Sequence, residues 1–210
     1  MDGASAIRIG SFPPPGRYRY EHRSQKRLTA VETDLLTADR LWGERTQVEG
    51  GNSHQVEAEF DRDGLITRVR LRYTRGLFSR SANYEAAGDI LGGTVSALAG
   101  RNAIQTKLGR FREIDGDLLI FKAIIIAHIR ASGRLRFTGR VAVIDPATLV
   151  AASIKQTYQQ RNSDSLLWLF EPAIGEREQI ELDGEGRIVR RIDSRGDQTL
   201  LTSFEPAAPD

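Results

Sequence analysis

His128 is the residue in this sequence best suited to move a proton. The segment Leu118–Ala131 (LLIFKAIIIAHIRA) is rich in β-branched residues, which favours a strand buried on both faces. Alternation along that strand places Lys122, Ile126 and His128 on one face. A histidine titrates near neutral pH, so His128 beside isoleucines could act as a general acid or base. The structural alternative is a hydrogen-bonded or solvated histidine at the end of a strand.

Tyrosine and arginine side chains could complete such a site. Tyr84 can transfer a proton, and a tyrosine or an arginine can steady negative charge that develops on an oxygen. Arg140 interrupts an apolar strand and needs a partner, which is either an acid such as Glu113 or Asp145 or a ligand. We therefore predict His128 and Tyr84 as catalytic residues. The predicted ligand-binding residues are Arg110, Arg140, Lys122, Ile126 and Tyr158.

Arg110 has two interpretations. Its guanidinium group could clamp an anionic or phenolate oxygen, because the planar fork of donors is preorganised. In the charged segment Gly109–Asp117 it could equally form a cross-strand ion pair, which contributes little at a surface.

The histidines are too few and too scattered to predict a metal centre. His22, His54 and His128 form no H-x-H, H-x-x-x-H or H-E-x-x-H pattern, and the sequence has no cysteine. Phosphate-loop, dinucleotide-binding and serine-nucleophile motifs are absent from the sequence as well. We therefore predict neither a metal nor a cofactor.

Length and charge narrow the classes of function. A chain of 210 residues with 40% hydrophobic and 28% charged residues fits one globular domain. The net charge is only +2 and arginines alternate with acids, which argues against a nucleic-acid partner. The N-terminus lacks the pattern of a secretory signal, and the longest apolar run, Ala123–Ala127, is far shorter than the ~20 residues of a membrane span. We expect a cytoplasmic protein.

Most of the chain has the pattern of strands. Gly16–His22 alternates Tyr18 and Tyr20 with charged residues, and similar short segments follow, separated by Gly, Asn, Asp or Pro. Residues 24–42 and 87–102 are ambiguous between helix and strand, although the pair Gly92–Gly93 disfavours a helix interior. We predict a mainly β domain over residues 16–204, between flexible ends at 1–15 and 205–210. Its predicted fold is an antiparallel β-roll or open barrel with one or two short helices.

One hairpin sequence occurs twice. FDRDGLITRV (Phe60–Val69) resembles LDGEGRIVRR (Leu182–Arg191), and an Arg-Gly pair follows each within a few residues. The acid–glycine pair supplies the positive φ of a tight hairpin. The matched flanks favour an internal duplication, with halves at about residues 16–116 and 117–204; the alternative is chance recurrence of a common hairpin. Residues repeated in both halves are then scaffold, and chemistry belongs to unrepeated positions such as His128, Arg110 and Tyr84.

The segment Glu57–Arg80 (EAEFDRDGLITRVRLRYTRGLFSR) resembles the motif of a bacterial family of glycolipid-binding proteins with a spiral β-roll. That motif is F-x-A-x-L-x-V-D-x-x-G-L-V, followed closely by Tyr-Pro and G-L-F-x-R. The matched residues are Ala58, Phe60, Asp61, Gly64, Leu65, Ile66, Gly76, Leu77, Phe78 and Arg80. In this sequence the linking segment is longer and Tyr-Pro is absent. The family has the motif near its C-terminus, whereas here it lies far from the C-terminus. The resemblance covers about a tenth of the chain. It implies a β-roll with an apolar interior groove for lipid-like ligands, and it implies no catalytic residue.

Three functions fit these observations. The first is binding of a bulky, largely apolar small molecule, lipid-like or aromatic, inside the roll, with Arg110, Arg140 and His128 as polar anchors. The second is a cofactor-independent lyase or isomerase that acts on a hydrophobic substrate in the same interior. The third is an interaction module that pairs through a strand edge, for which a homodimer is a candidate assembly. The first requires an apolar cavity, the second a cavity at His128, and the third a long unpaired edge.

Overall fold

The computed structural model describes residues 12–98, 100–108, 114–116, 118–162 and 165–208. Within these ranges fifteen strands and one helix are connected mostly by short turns, and all of the strands belong to one sheet. The strands are β1 (Gly16–Ser24), β2 (Arg27–Leu36), β3 (Arg40–Gln47), β4 (Ser53–Phe60), β5 (Ile66–Arg75), β6 (Phe78–Ala87), β7 (Ile90–Ala97), β8 (Gly100–Lys107), β9 (Ile114–Asp115), β10 (Arg136–Ile144), β11 (Ala151–Gln160), β12 (Leu167–Pro172), β13 (Glu178–Leu182), β14 (Ile188–Asp193) and β15 (Gln198–Pro206). The helix α1 (Leu119–Ala131) lies between β9 and β10 in the chain.

Two antiparallel meanders make the sheet. The first runs from β1 to β8 and the second from β10 to β15, and they join where β1 pairs with β15, with Gly16 opposite Pro206. β9 is parallel to β10, as strands joined by a crossover helix are expected to be. The sheet is open, because no ladder among the described residues joins its end strands β8 and β9, although β8 lies close to β11. The predicted antiparallel β-roll is confirmed.

Alternating burial shows which face of the sheet lies inside the roll. In β1 the side chains of Tyr18 and Tyr20 are fully buried, while Arg17 and Arg19 are exposed. Successive residues of a strand point to opposite faces, so every second residue contributes to the interior. These inward residues form one apolar core together with α1.

Leu119–Ala131 form α1, so the prediction of a strand over Leu118–Ala131 is wrong. Ten of the thirteen residues of α1 are buried, and they cover every side of the helix. A helix that is apolar all round belongs inside a core, where burial outweighs the mild helix penalty of isoleucine. The predicted shared face of Lys122, Ile126 and His128 is wrong too. Six helical residues turn through about 600°, so Lys122 and His128 point in different directions. No helix in the described part of the chain is long and apolar enough to span a membrane.

The two ambiguous segments are strands. Residues 24–42 contain β2 and the start of β3, and residues 87–102 contain β7 and the start of β8. In β2 every second residue from Ala30 to Leu36 is buried, which is the period of a strand rather than of a helix. The described residues therefore contain one helix, at a position where the sequence predicted a strand.

The start of the described chain packs on the roll. Phe12 lies edge to face on Phe60, with ring centroids 5.0 Å apart, and the Tyr18 hydroxyl donates a hydrogen bond to the Pro14 carbonyl. Residues 12–15 of the predicted N-terminal arm thus contact the domain. Residues 1–11 of that arm lie outside the described residues.

The repeated acid–glycine turns have the same geometry. Asp61 accepts hydrogen bonds at Oδ1 from the amides two and four residues on, at 2.9 and 3.0 Å, and Asp183 does the same at 3.0 Å each. Gly64 and Gly186 have φ angles of +76° and +86°, a conformation that favours glycine. Asp193 begins a third turn of this kind, which the sequence comparison missed. These aspartates and glycines hold turns together, whereas the division of the chain into two halves stays a prediction.

Gly93 is a position where one added methyl group should disturb the roll. It pairs with Tyr84 across β6 and β7, and a Cβ there would lie 2.1 Å from the Asn83 carbonyl oxygen and 2.7 Å from the Tyr84 ring. Gly93→Ala is expected to lower the free energy of unfolding by about 1–3 kcal/mol. Gly92→Ala is the matched control, because a Cβ there meets nothing closer than Gln105 Cγ at 3.8 Å. Urea unfolding compares the two variants, and equal stabilities would contradict the close packing of Tyr84.

Candidate functional site

The turns β1–β2, β3–β4, β5–β6 and β7–β8 lie at one end of the roll, which we call the mouth. A groove of about 680 Å³ opens there along β1–β3, and Arg27, Leu28, Arg45 and the buried Ala30 are among its lining residues. A second groove of about 280 Å³ shares Arg45 and Gln47 with the first and reaches the β10–β11 turn. Both grooves are lined mainly by polar residues, whereas α1 and the apolar core fill the interior below them.

A chain of buried hydrogen bonds below the first groove ties α1 to the sheet. Glu32 is fully buried; its carboxylate accepts a hydrogen bond from the Leu119 amide at 2.7 Å and lies 2.8 Å from His22 Nε2. His22 Nδ1 lies 3.0 Å from the hydroxyl oxygen of Thr199 in β15. The N-cap residue Leu118 provides no side-chain acceptor, so Glu32 caps the helix and its charge faces the positive end of the helix dipole.

Asp34 and Tyr20 lie beside Glu32 on the inner face of β1 and β2. Both side chains are fully buried, and neither the Asp34 carboxyl nor the Tyr20 hydroxyl has a hydrogen-bond partner of good geometry among the described residues. Burial, and then the neighbouring Glu32 carboxylate, raise the pKa of Asp34 well above its usual range. Burial thus favours the protonated form of Asp34. Burial raises the pKa of Tyr20 as well.

A charged network lies inside the second meander. Lys122 Nζ is 3.1 Å from Asp115 Oδ2 and 3.6 Å from Glu178 Oε2. The Gln156 side chain donates to Asp115 at 3.0 Å and accepts a hydrogen bond from the Tyr158 hydroxyl at 3.2 Å. The predicted ligand-binding residues Lys122 and Tyr158 therefore do come together. Their polar atoms bond to this network, and neither residue lines the two grooves.

His128 is buried at the end of the roll opposite the mouth. Its ring lies near Gly64 in the β4–β5 turn and near Phe12, with ring centroids 6.4 Å apart. Neither ring nitrogen has a hydrogen-bond partner among the described residues. Burial lowers the pKa of His128, and the Asp61 carboxylate offsets this only in part. His128 is thus a neutral imidazole in a packed setting that neither groove reaches.

Tyr84 fastens the two meanders to each other. Its buried hydroxyl donates to the Leu149 carbonyl at 2.7 Å and accepts a hydrogen bond from the Ala151 amide at 3.2 Å. β6 is thereby attached to the β10–β11 turn through a side chain. No described hydrogen bond or ring contact joins Tyr84 to His128, so the two predicted catalytic residues do not form one site.

The remaining predicted site residues are also dispersed. Arg140 is exposed on β10 and donates a hydrogen bond to the Ser153 carbonyl at 2.8 Å, so it does not anchor a ligand from within an apolar strand. Ile126 is buried in the core, and Arg110 lies outside the described residues. The described residues contain no cluster of three or more His, Asp or Glu side chains that could hold a metal ion.

Glu32, Asp34 and Tyr20 are the functional candidates that sequence reasoning missed. Their signal lies in the segment AVETDLL, residues 30–36, where two acids occupy alternate positions between Ala30 and Leu36. Leucine and valine in the same segment also have the spacing of a helix, so the sequence alone did not assign these residues to a strand. Gly43 of β3 pairs with Asp34, and a Cβ at this glycine would lie 2.5 Å from Asp34 Oδ1. This close approach points to Asp34 as well, but it is visible only in the structure.

Comparison with known proteins gives the fold and nothing further. No family model matches the sequence, and no curated protein matches it. Among solved structures, a DUF1089-family protein from Pseudomonas aeruginosa is similar, with a TM-score of 0.56 and 18% identity over 77% of this chain and 88% of that chain. At this identity the likeness supports the β-rich fold alone.

Asp34 should make the protein less stable as the pH rises. Its folded-state pKa lies above the ordinary value of 3.8, so above that pH the unfolded state loses a proton that the folded state retains. Stability then falls by about 1.4 kcal/mol per pH unit until the pH reaches the folded-state pKa. Asp34→Asn is expected to flatten this fall. Urea unfolding of the wild-type protein and of Asp34→Asn, from about pH 5 to about pH 9, measures this pH dependence. Parallel curves of stability against pH for the two proteins would contradict the raised pKa of Asp34.

Proposed function

We propose that the protein binds a bulky, lipid-like amphiphile, with its apolar part inside the roll and its polar end at the mouth. The observation that carries the proposal is the position of the larger groove. Its lining combines the buried Ala30 and the half-exposed Leu28 with the cationic side chains of Arg27 and Arg45. An amphiphile needs apolar surroundings for its apolar part and polar surroundings for its head group.

The interior is apolar but occupied, so a ligand has to share it with α1. α1 is an apolar body enclosed by the sheet, and it occupies the axis that an acyl chain or ring system would share. A ligand enters between the first turn of α1 and the inner face of β1–β3. The hydrogen bond from Leu119 to Glu32 holds that turn in place, so it is the contact that has to yield. The resemblance of Glu57–Arg80 to glycolipid-binding spiral β-rolls agrees with this ligand class.

The polar anchors differ from those expected from the sequence. Arg140 is on the outer surface and His128 is at the far end, so neither serves a ligand that enters at the mouth. The walls of the two grooves provide Arg27 and Arg45 instead, together with His54. Cationic and imidazole groups suit phosphate, carboxylate or sugar hydroxyl groups of a head group.

Leu28 and Leu35 provide a matched test of the groove. Both lie on β2, with exposures of 37% and 40%, but Leu28 lines the larger groove and Leu35 lies on the outer face. Leu28→Glu should weaken binding of N-phenyl-1-naphthylamine, an apolar fluorescent probe, on the order of ten-fold, because a charge replaces apolar contact area. Leu35→Glu should leave binding unchanged. Native mass spectrometry of the purified wild-type protein should also detect a co-purifying lipid; absence of both probe binding and lipid would refute the proposal.

A cofactor-independent lyase or isomerase is the second candidate function, and the Asp34–Tyr20 pair favours it. Two buried groups with raised pKa values, the Asp34 carboxyl and the Tyr20 phenol, lie beside Glu32 on the inner face of β1 and β2, where they could form an acid–base set.

Proton exchange tests this second candidate. The wild-type protein should accelerate exchange of the acidic C–H protons of an apolar aromatic ketone with D₂O, followed by NMR. Asp34→Asn should reduce the acceleration on the order of 100-fold, while His128→Phe, at the far end of the roll, should not. Exchange at the rate of buffer alone with the wild-type protein would eliminate the candidate.

A further inference from the structure

The most exposed apolar side chains gather at the mouth. Five large apolar side chains in the described part of the chain are more than half exposed: Val48 at 55%, Leu77 at 101%, Phe78 at 66%, Leu98 at 82% and Ile174 at 79%. They lie in or directly beside the β3–β4, β5–β6, β7–β8 and β12–β13 turns, and alternate turns of an antiparallel meander fall at the same end. Isolated exposed apolar residues are ordinary, but a ring of them around one opening indicates a partner.

The turns of the first meander at this end are basic. Residues 24–28, 47–52, 75–80, 97–98 and 100–101 include one acid, Glu49, and five basic residues: Lys26, Arg27, Arg75, Arg80 and Arg101. At the opposite end, the turns of the first meander at residues 36–40, 60–66 and 87–90 include four acids and two arginines. The turns of the second meander at this end, residues 144–151, 172–178 and 193–198, include five acids and two arginines, so the basic surface is confined to the first meander.

We propose that the mouth docks on the surface of an anionic lipid bilayer. Leu77, Phe78 and Leu98 would insert among the head groups, and the neighbouring arginines and Lys26 would lie over the phosphates. Docking in this orientation brings the grooves to the bilayer surface, so it extends the proposed function to the source of the ligand. The surface itself does not depend on a ligand being bound.

The shape of the mouth favours a bilayer over a protein or a nucleic acid. Neighbouring hairpins of one sheet are about 10 Å apart, so the apolar side chains stand on separate tips rather than on one continuous face. A fluid layer of head groups can accommodate separate tips, whereas a protein interface needs a closely packed centre. A nucleic acid would match the arginines but would leave the side chains of Leu77, Phe78 and Leu98 in water.

Vesicle co-sedimentation tests the proposal. The wild-type protein should bind phosphatidylcholine vesicles that contain about 30% phosphatidylserine, bind pure phosphatidylcholine far more weakly, and dissociate as salt is raised. The double variant Leu77→Asp, Phe78→Asp should bind on the order of ten-fold more weakly. In the double variant Lys26→Glu, Arg27→Glu, each substitution should weaken the affinity for anionic vesicles by about five-fold. The matched control is Leu135→Asp, Leu166→Asp at the opposite end, which should bind like the wild type.

Two results would overturn the proposal. One is failure of the wild-type protein to sediment with anionic vesicles at low salt; the other is an equal loss in the rim variants and in the control. Circular dichroism and urea unfolding of each variant show that the fold is retained. Binding of the naphthylamine probe in solution should be unaffected by Leu77→Asp, Phe78→Asp, so loss of docking and loss of ligand binding are separable. If the wild-type protein does not sediment, capture of RNA or of a protein by the mouth would identify the partner that replaces the bilayer.

Discussion

A helix that is apolar on every side has to be covered on every side, and α1 imposes that requirement on the whole sheet. Two meanders curl around it, and their inward residues join it in one core. The first amide of the helix cannot be left without a partner there, since a buried unpaired N–H is costly. Glu32 satisfies it and also holds His22, which contacts Thr199 of β15. One buried carboxylate thus links the helix, the first meander and the strand that joins the two meanders.

Polar groups inside the roll are distributed unevenly along α1. In its first turns a backbone amide donates a hydrogen bond to Glu32. The Lys122 side chain there forms ion pairs with Asp115 and Glu178. Its later turns, from Ala123 to Ile129, are apolar except for His128. Buried charges are tolerated only when they are paired, and these pairs concentrate on the side of the helix that faces the mouth. An interior that becomes more polar toward its opening suits an amphiphile better than a wholly apolar ligand.

The strands of this protein follow from its sequence, but the helix and the site do not. Alternation in β1 and the acid–glycine turns are local signals, and the structure retains them because hairpins are local structures. α1 is an apolar run of β-branched residues, and such a run fits either a buried strand or a buried helix until the surroundings are known. The sequence did not predict the site for a related reason. The Asp34–Gly43 contact and the distance of His128 from the mouth depend on how the sheet curls, which no local pattern encodes.

The ladder between β1 and β15 determines the order in which the molecule can assemble. Gly16 pairs with Pro206, so one edge of β1 is without its partner until β15, the last strand of the described chain, has been synthesised. The β1–β8 meander can form earlier from neighbouring hairpins, but it then presents its apolar inner face and an open edge to the cell. Contacts between distant parts of a chain also slow folding, because a long loop has to close before they are made. During synthesis the first meander therefore has to wait for the second before this face and this edge are covered.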